Sequence, residues 1–164
     1  MKPKKTVTWR GKFSLKGVKS LVGIDSSVLI DLALYEKSVE YFKSYGFQFP
    51  SEVFCVTTNS IGEAKGVLIN KYKKSLAWVN KRIDDILDQF YIQKIMYEDD
   101  FYQDAVTIER IGEKYGLNEE DVPIILTMWK HGVSIVMVRD KAFEDTCKEL
   151  GIDVIGFPIV ESFK

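Results

Sequence analysis

Residues 133–143 read VSIVMVRDKAF, and they contain the clearest buried strand in the sequence. The first six of these residues are apolar except for Ser134, and Arg139 and Asp140 follow them directly. A continuous apolar run of this length is typical of a strand that is covered on both faces. A helical pattern then runs from residue 141 to residue 150 and is closed by Gly151.

Similar strand and helix patterns extend from this stretch in both directions. Further strands are predicted at 21–24 (LVGI), 52–57 (EVFCVT) and 152–155, with a third strand or a helix end at 91–97. Helices are predicted at 27–45, 59–74, 75–90, 100–115 and 119–131, with no break expected between 74 and 75. This alternation predicts an α/β fold with a central parallel β-sheet flanked by helices on both faces. Such sheets bind ligands outside the carboxyl ends of their strands.

The chain of 164 residues predicts one main domain at 21–164, preceded by a basic N-terminal extension at 1–20. The extension carries seven bases and no acid, whereas the whole chain has a formal net charge of −1. A hairpin around Gly11 is one possible conformation of this extension. Two interpretations stay open, namely an arm that holds phosphate and a solvated tail.

Several classes of chemistry are poorly supported by the residues. His131 is the only histidine, and there is no GxGxxG motif, phosphate loop or GxSxG elbow. Cys55 and Cys147 have no metal or redox spacing, which favours reduced core thiols in a cytoplasmic protein. No apolar run approaches the roughly 20 residues that span a bilayer, and no secretion signal is evident. Carboxylates remain in quantity, since residues 84–121 carry twelve acids and three bases.

Two aspartates follow predicted strands directly. Asp25 comes after the strand at 21–24, and Asp140 comes after the strand at 133–138. At neighbouring strand ends about 4.8 Å apart, two carboxylates would repel each other unless a divalent cation lay between them. The alternative is that each aspartate caps the helix that follows it.

Two further acids have the same two interpretations. Glu63 follows Ser60, and Asp121 follows Asn118, at the spacing of a capping box. Either acid is therefore a metal ligand or the closing residue of a helix end. The ordered set of four acids carries more weight than any one of them.

The order of these motifs resembles a known family. The chain has strand–Asp–x–Ser–helix at 24–30, a helical Glu within 58–63, an Asp that opens a helix within 117–126, and strand–Arg–Asp–x–x–Phe at 136–143. This pattern resembles the PIN domain, and among PIN domains the small VapC-type ribonucleases, over roughly residues 21–156. The resemblance implies a PIN-like fold.

The resemblance also implies a set of site residues. The acids that would bind Mg²⁺ or Mn²⁺ and act in catalysis are Asp25, Glu63, Asp121 and Asp140. Ser27 would support this site, and Asp145 is a candidate additional acid. Arg139 and Lys65 are candidates for substrate binding, and pairing with a nearby acid is the alternative for Arg139. Two departures from the family pattern bear on the shape of the site, namely Val138, where a Thr or Ser is common, and Pro123, in the turn after the third acid.

The function implied by the resemblance is a metal-dependent endoribonuclease that hydrolyses phosphodiester bonds in RNA, leaving 5′-phosphate and 3′-hydroxyl ends. One form of this function is the toxin of a toxin–antitoxin pair, in which the partner is a small antitoxin protein. The expected assembly is a homodimer. The alternatives are an RNA-processing or DNA-directed PIN nuclease without an antitoxin, and a catalytically idle PIN fold used for binding or scaffolding.

Overall fold

Strands and helices alternate along the chain in the computed structural model, which describes residues 20–49, 51–98 and 102–159. The strands are β1 (Ser20–Ile24), β2 (Glu52–Thr57), β3 (Gln93–Ile95), β4 (Ile135–Val138) and β5 (Asp153–Gly156). The helices are α1 (Ser26–Leu34), α2 (Glu36–Gln48), α3 (Thr58–Asn70), α4 (Leu76–Gln89), α5 (Tyr102–Tyr115), α6 (Val122–Lys130) and α7 (Lys141–Glu149). A 3-10 turn, Glu119–Asp121, precedes α6. The predicted basic extension lies outside the described residues, except for Ser20, which begins β1.

The five strands form one parallel sheet in the order β3-β2-β1-β4-β5. Strand β1 lies in the middle, with Gly23 opposite Cys55 of β2 and Ile24 opposite Met137 of β4. The chain builds the sheet outward from β1 to β3 and then crosses to the other side for β4 and β5. The direction of winding therefore reverses between β1 and β4, and a crevice is expected at the carboxyl ends of these two strands.

Apolar side chains cover both faces of the sheet, which confirms the predicted α/β architecture. Alternate residues of β1 point to opposite faces, so Val22 packs in one cluster and Leu21 in the other. The first cluster joins the sheet to α1–α4, and the second joins it to α5–α7. Cys55 and Cys147 are buried free thiols in the second cluster. Among the helices in the described part of the chain, none is long and apolar enough to cross a membrane.

The single helix predicted at 27–45 is wrong, because Tyr35 interrupts it. Tyr35 has extended backbone angles (φ −127°, ψ 122°), and α2 then continues past Gly46. The change of direction brings the Phe42 ring to 4.4 Å from that of Phe54 and 4.8 Å from that of Phe90. Aromatic packing of this kind outweighs the small cost of breaking a helix at a tyrosine.

The expected continuity between residues 74 and 75 is also wrong. Helix α3 ends at Asn70, and Lys73 in the following turn adopts a left-handed conformation (φ 57°). The Ser75 side chain then accepts a hydrogen bond from the Trp78 N–H (3.1 Å) and caps α4. Serine is a preferred N-cap, so the sequence did contain the signal for a new helix.

Glycine closes the three later helices as predicted, with positive φ at Gly116, Gly132 and Gly151. Another glycine, Gly23, serves close packing. A Cβ atom at this position would lie 3.0 Å from Sδ and Cε of Met128 on α6. The absence of a side chain at Gly23 therefore lets α6 approach β1, near the switch in the sheet.

Candidate active site

Asp25 lies at the switch in the sheet. Its N–H donates to the Met137 carbonyl of β4 (3.3 Å), and its own carbonyl accepts from the N–H groups of Val28 and Leu29 in α1. Asp25 thus occupies the N-cap position of α1, but its side chain makes no capping hydrogen bond. The carboxylate instead accepts a hydrogen bond from the Ser27 hydroxyl (3.2 Å) and is only 7% exposed.

Asp140 lies at the carboxyl end of the neighbouring strand, two residues beyond β4. Its Oδ2 accepts a hydrogen bond from the Phe143 N–H (3.0 Å), so Asp140 does cap α7. One oxygen is engaged in this way, and a carboxylate has further acceptor sites on its other oxygen. Capping therefore fixes the orientation of Asp140 without excluding a second role.

Glu63 reaches the same region from the middle of α3. The capping box predicted for Ser60 and Glu63 is wrong, because the N-cap is Thr57, whose hydroxyl accepts from the Ser60 N–H (3.0 Å). Glu63 instead accepts a short hydrogen bond from the Ser26 hydroxyl at the start of α1. This contact joins residues that are 37 positions apart in the sequence and holds α1 against α3.

Asp121 ends the 3-10 turn and occupies the N-cap position of α6, again without a side-chain capping bond. The capping box predicted for Asn118 and Asp121 is wrong as well, since the Asn118 side chain makes no capping bond. Pro123 fits the first turn of α6, where no helical N–H partner is needed. The departure at Pro123 therefore does not break α6, which follows Asp121.

Two of the four acids, Asp25 and Asp121, have a raised pKa to which the charges of the other acids contribute. Burial raises the pKa of Asp25 from 3.8 to about 6; the Ser26 N–H and the Ser27 hydroxyl oppose this change, while the charges of Glu63 and Asp140 add to it. Burial, followed by the charges of Asp25, Glu63 and Asp140, raises the pKa of Asp121 to about 7. Asp25 and Asp121 are therefore poorly solvated and lie within electrostatic reach of Glu63 and Asp140.

This donor set fits a hard divalent cation. Three of the four acids are not used as helix caps, and two of them have pKa values raised chiefly by burial and by like charges. In the described ranges, no group of three or more His, Cys, Asp or Glu side chains is positioned to hold a metal ion as it stands. Mg²⁺ usually retains several water molecules and uses only one or two protein carboxylates. The arrangement therefore suits a hydrated ion that is held partly through water.

The remaining candidate residues have other contacts. Asp145 pairs with Lys141 on the same helix, with 3.1 Å between Oδ1 and Nζ. Arg139 forms an ion pair with the buried Asp31 of α1 and donates to the carbonyls of Phe157 (3.1 Å) and Pro158 (3.2 Å). Of the two interpretations of Arg139, substrate binding and pairing with a nearby acid, the structure shows the pairing with an acid. Lys65 is half-buried on α3, two residues beyond Glu63.

Two residues near the acids were not found from the sequence. Ser26 is the donor to Glu63, and the only signal for it was a second serine next to Ser27. Cys147 is buried near the acids, where burial and then the charges of Asp25 and Asp121 raise the pKa of its thiol. Nothing in the spacing of Cys147 from these aspartates reveals that proximity in the sequence.

No protein-family model matches the sequence, and no curated protein matches it. Solved structures do share its fold. VapBC2 from Rickettsia felis, bound to a DNA fragment from its promoter, aligns with a TM-score of 0.64 at 8% identity, over 84% of this chain and 99% of that one. VapC20 of Mycobacterium tuberculosis, a sarcin–ricin loop cleaving toxin, aligns with a TM-score of 0.56 at 13% identity, over 74% and 92%. FitAcB from Neisseria gonorrhoeae aligns with a TM-score of 0.55 at 18% identity, over 82% and 96%. At these identities the similarity shows the fold, which is that of the VapC-like PIN domain.

Proposed function

We propose that this chain, which has a VapC-like PIN fold, is a metal-dependent endoribonuclease whose site is formed by Asp25, Glu63, Asp121 and Asp140. The observation that carries the proposal is the position of the buried Asp25 at the switch in the sheet, where burial and the charges of Glu63 and Asp140 raise its pKa, and where the charges of Asp25, Glu63 and Asp140 help to raise the pKa of Asp121. Keeping such charges together is unfavourable for stability, and strongly perturbed acids in a cleft are typical of functional sites.

The side chains around the acids have distinct parts in the proposed reaction. The Ser27 hydroxyl orients the Asp25 carboxylate, and the Ser26 hydroxyl holds Glu63 toward α1. Near neutral pH, Asp25 and Asp121 retain protons for part of the time, and these protons must leave when a cation binds. A bound Mg²⁺ or Mn²⁺ would polarise a phosphoryl oxygen and make an attacking water more acidic.

The test is cleavage of single-stranded and structured RNA by the purified chain with Mg²⁺, with Mn²⁺ and with a chelator. Asp25→Asn is expected to lower the rate by at least about 100-fold, as does the loss of a group that stabilises transition-state charge. The variant keeps the size of the side chain and loses its charge. The matched control is Asp153→Asn, which removes an exposed carboxylate at the amino end of β5.

Four outcomes would count against the proposal. Full activity in Asp25→Asn, or activity that survives the chelator, would remove the carboxylate site from the mechanism. A wild-type chain that binds the cation and cuts no RNA would favour the idle PIN fold. Cleavage of DNA in preference to RNA would favour the DNA-directed alternative.

We further propose that the chain is the toxin of a toxin–antitoxin pair and works as a homodimer. The support is its similarity to VapBC2 and to FitAcB, which is of the fold alone. Expression of the chain by itself is expected to arrest growth, and Asp25→Asn is expected to relieve the arrest. Light scattering that finds only monomer at working concentrations would contradict the homodimer.

A further inference from the structure

A stretch of twenty residues around the α3–α4 turn is strongly basic. Residues 64–83 contain six bases and no acid, in a chain whose formal net charge is −1. Two of the bases are engaged in other contacts, because Lys81 pairs with Asp85 (3.0 Å) and Arg82 donates to the carbonyls of Leu32 and Ala33. The other four have no ion pair within the described residues; they are Lys65, Lys71, Lys73 and Lys74.

Aromatic rings are interleaved with these lysines. The Lys71 ammonium lies 5.4 Å from the centre of the Tyr72 ring, and that of Lys74 lies 4.8 Å from the centre of the Trp78 ring. Trp78 is 36% exposed. We call Lys71, Tyr72, Lys73, Lys74 and Trp78 the α3–α4 basic surface. Positive charges beside accessible ring faces are the combination that binds single-stranded nucleic acid without sequence preference.

The backbone of this surface is well held. The Tyr72 N–H donates to the Val67 carbonyl (3.3 Å), and the Lys74 N–H donates to the Leu68 carbonyl (3.0 Å). Lys73 adopts a left-handed conformation, which is uncommon for a residue other than glycine. The lysine side chains therefore project from a fixed turn, so less conformational entropy is lost when they bind a ligand.

The surface is continuous with the proposed active site along α3. Glu63 and Lys71 are eight residues apart, which is about 12 Å along a helix axis. Between them, a Cβ atom on Gly66 would meet no atom within 4 Å, as is also true of Gly62 beside Glu63. This part of α3 is therefore open to the backbone of a ligand. A cleft of about 370 Å³ beside Trp78 offers room for a flat base; its other lining residues are Ala77, Lys81, Arg82 and Asp85.

We propose that the α3–α4 basic surface binds single-stranded RNA next to the cleavage site, with Lys71 and Lys74 on phosphates and Trp78 stacked on a base. The inference rests on the proposed ribonuclease function for its choice of RNA. Charge complementarity favours a polyanion over an apolar protein partner, since Lys71 and Lys74 lie beside the aromatic rings and the three lysines of this surface have no ion pair within the described residues.

Binding of a short fluorescent single-stranded RNA is measured by anisotropy in the Asp25→Asn protein with chelator, so that cleavage does not interfere. Lys71→Glu/Lys74→Glu is expected to weaken binding by at least tenfold. It should also lower the slope of log affinity against log salt by about 1.4, from about 0.7 for each lost phosphate contact. Trp78→Ala is expected to weaken binding roughly 5- to 150-fold, and Trp78→Phe should keep most of the affinity.

The matched control is Lys37→Glu/Lys43→Glu, which makes the same charge change at exposed positions of α2. Lys71→Gln/Lys74→Gln supports the test if the double glutamate variant folds poorly. Equal losses in the α2 control and in the α3–α4 variant would overturn the proposal. The proposal would also be overturned if the α3–α4 variant bound RNA as tightly as before and instead lost a co-purified protein partner.

The results separate this inference from the proposed function. A wild-type chain that cleaves RNA, with binding insensitive to the α3–α4 variants, refutes the surface and leaves the nuclease intact. A chain that binds RNA through Lys71, Lys74 and Trp78 but never cleaves it supports the surface and refutes the nuclease. An unchanged affinity in Trp78→Ala would refute the stacking part of the proposal.

Discussion

Asp25→Asn is expected to stabilise the metal-free protein at neutral and alkaline pH, even though it removes the proposed function. The folded state raises the pKa of Asp25 from 3.8 to about 6. Ionising this buried carboxylate is therefore less favourable in the folded protein than in the unfolded chain, by about 3 kcal/mol. Asparagine avoids this cost but accepts a weaker hydrogen bond from Ser27, which gives back about 1 kcal/mol. The net gain is about 2 kcal/mol.

The gain depends on pH in a defined direction. Because the folded pKa lies above the unfolded one, the destabilisation is absent below about pH 3.8 and develops as the pH rises toward about 6. Thermal unfolding with chelator should give Asp25→Asn a melting temperature roughly 4–8 °C above wild type at alkaline pH. The two should converge in acid. Asp85→Asn is the control and should change stability little, because its ion pair with Lys81 is exposed.

A divalent cation should reverse this order. Ligand at 100 times its dissociation constant stabilises the folded state by about 2.7 kcal/mol, and only the wild type should gain this stabilisation. An Asp25→Asn protein that is less stable than wild type in chelator at pH above 7 would refute the reasoning from charge repulsion. An equal cation-induced shift in both proteins would remove Asp25 from the cation site.

Two further predictions concern contacts around the site. Because the Ser26 hydroxyl positions Glu63, Ser26→Ala is expected to lower the rate of RNA cleavage about tenfold while lowering the free energy of unfolding by only about 1 kcal/mol. Ser26→Thr keeps a hydroxyl and should recover the activity. Equal activity in the alanine and threonine variants would contradict a positioning role. Arg139→Met should cost about 3–5 kcal/mol by leaving the buried Asp31 unpaired, and Arg139→Met/Asp31→Leu should recover most of it in urea unfolding. A loss of RNA affinity without a loss of stability in Arg139→Met would instead favour substrate binding.

The sequence was most informative where a local pattern determines the structure. The apolar runs at 52–57 and 133–138 predicted strands β2 and β4, and glycines 116, 132 and 151 predicted three helix ends. The break at Tyr35 was missed, since a tyrosine carries no turn signal. It depends on Phe42 packing against Phe54 and Phe90, residues that are distant in sequence.

The candidate site shows the same division between local and long-range information. The positions of Asp25 and Asp140 after strands could be predicted, because the carboxyl ends of parallel strands share one edge of the sheet. The hydrogen bond from Ser26 to Glu63 and the ion pair of Arg139 with Asp31 could not. Both contacts join elements that meet only once α1 is packed against α3 and β4.

Capping and cation binding make different demands on a carboxylate, and this difference separates the four acids. A capping side chain gives its oxygen to a backbone N–H, as Asp140 does with Phe143. Asp25 and Asp121 occupy N-cap positions without making that bond, and Glu63 lies beyond the first turn of α3. Helix stability would favour a capping side chain at both aspartates, but both carboxylates lie instead where burial and neighbouring acids raise their pKa. Because this arrangement costs stability and gains nothing from capping, we propose that it serves to hold a cation.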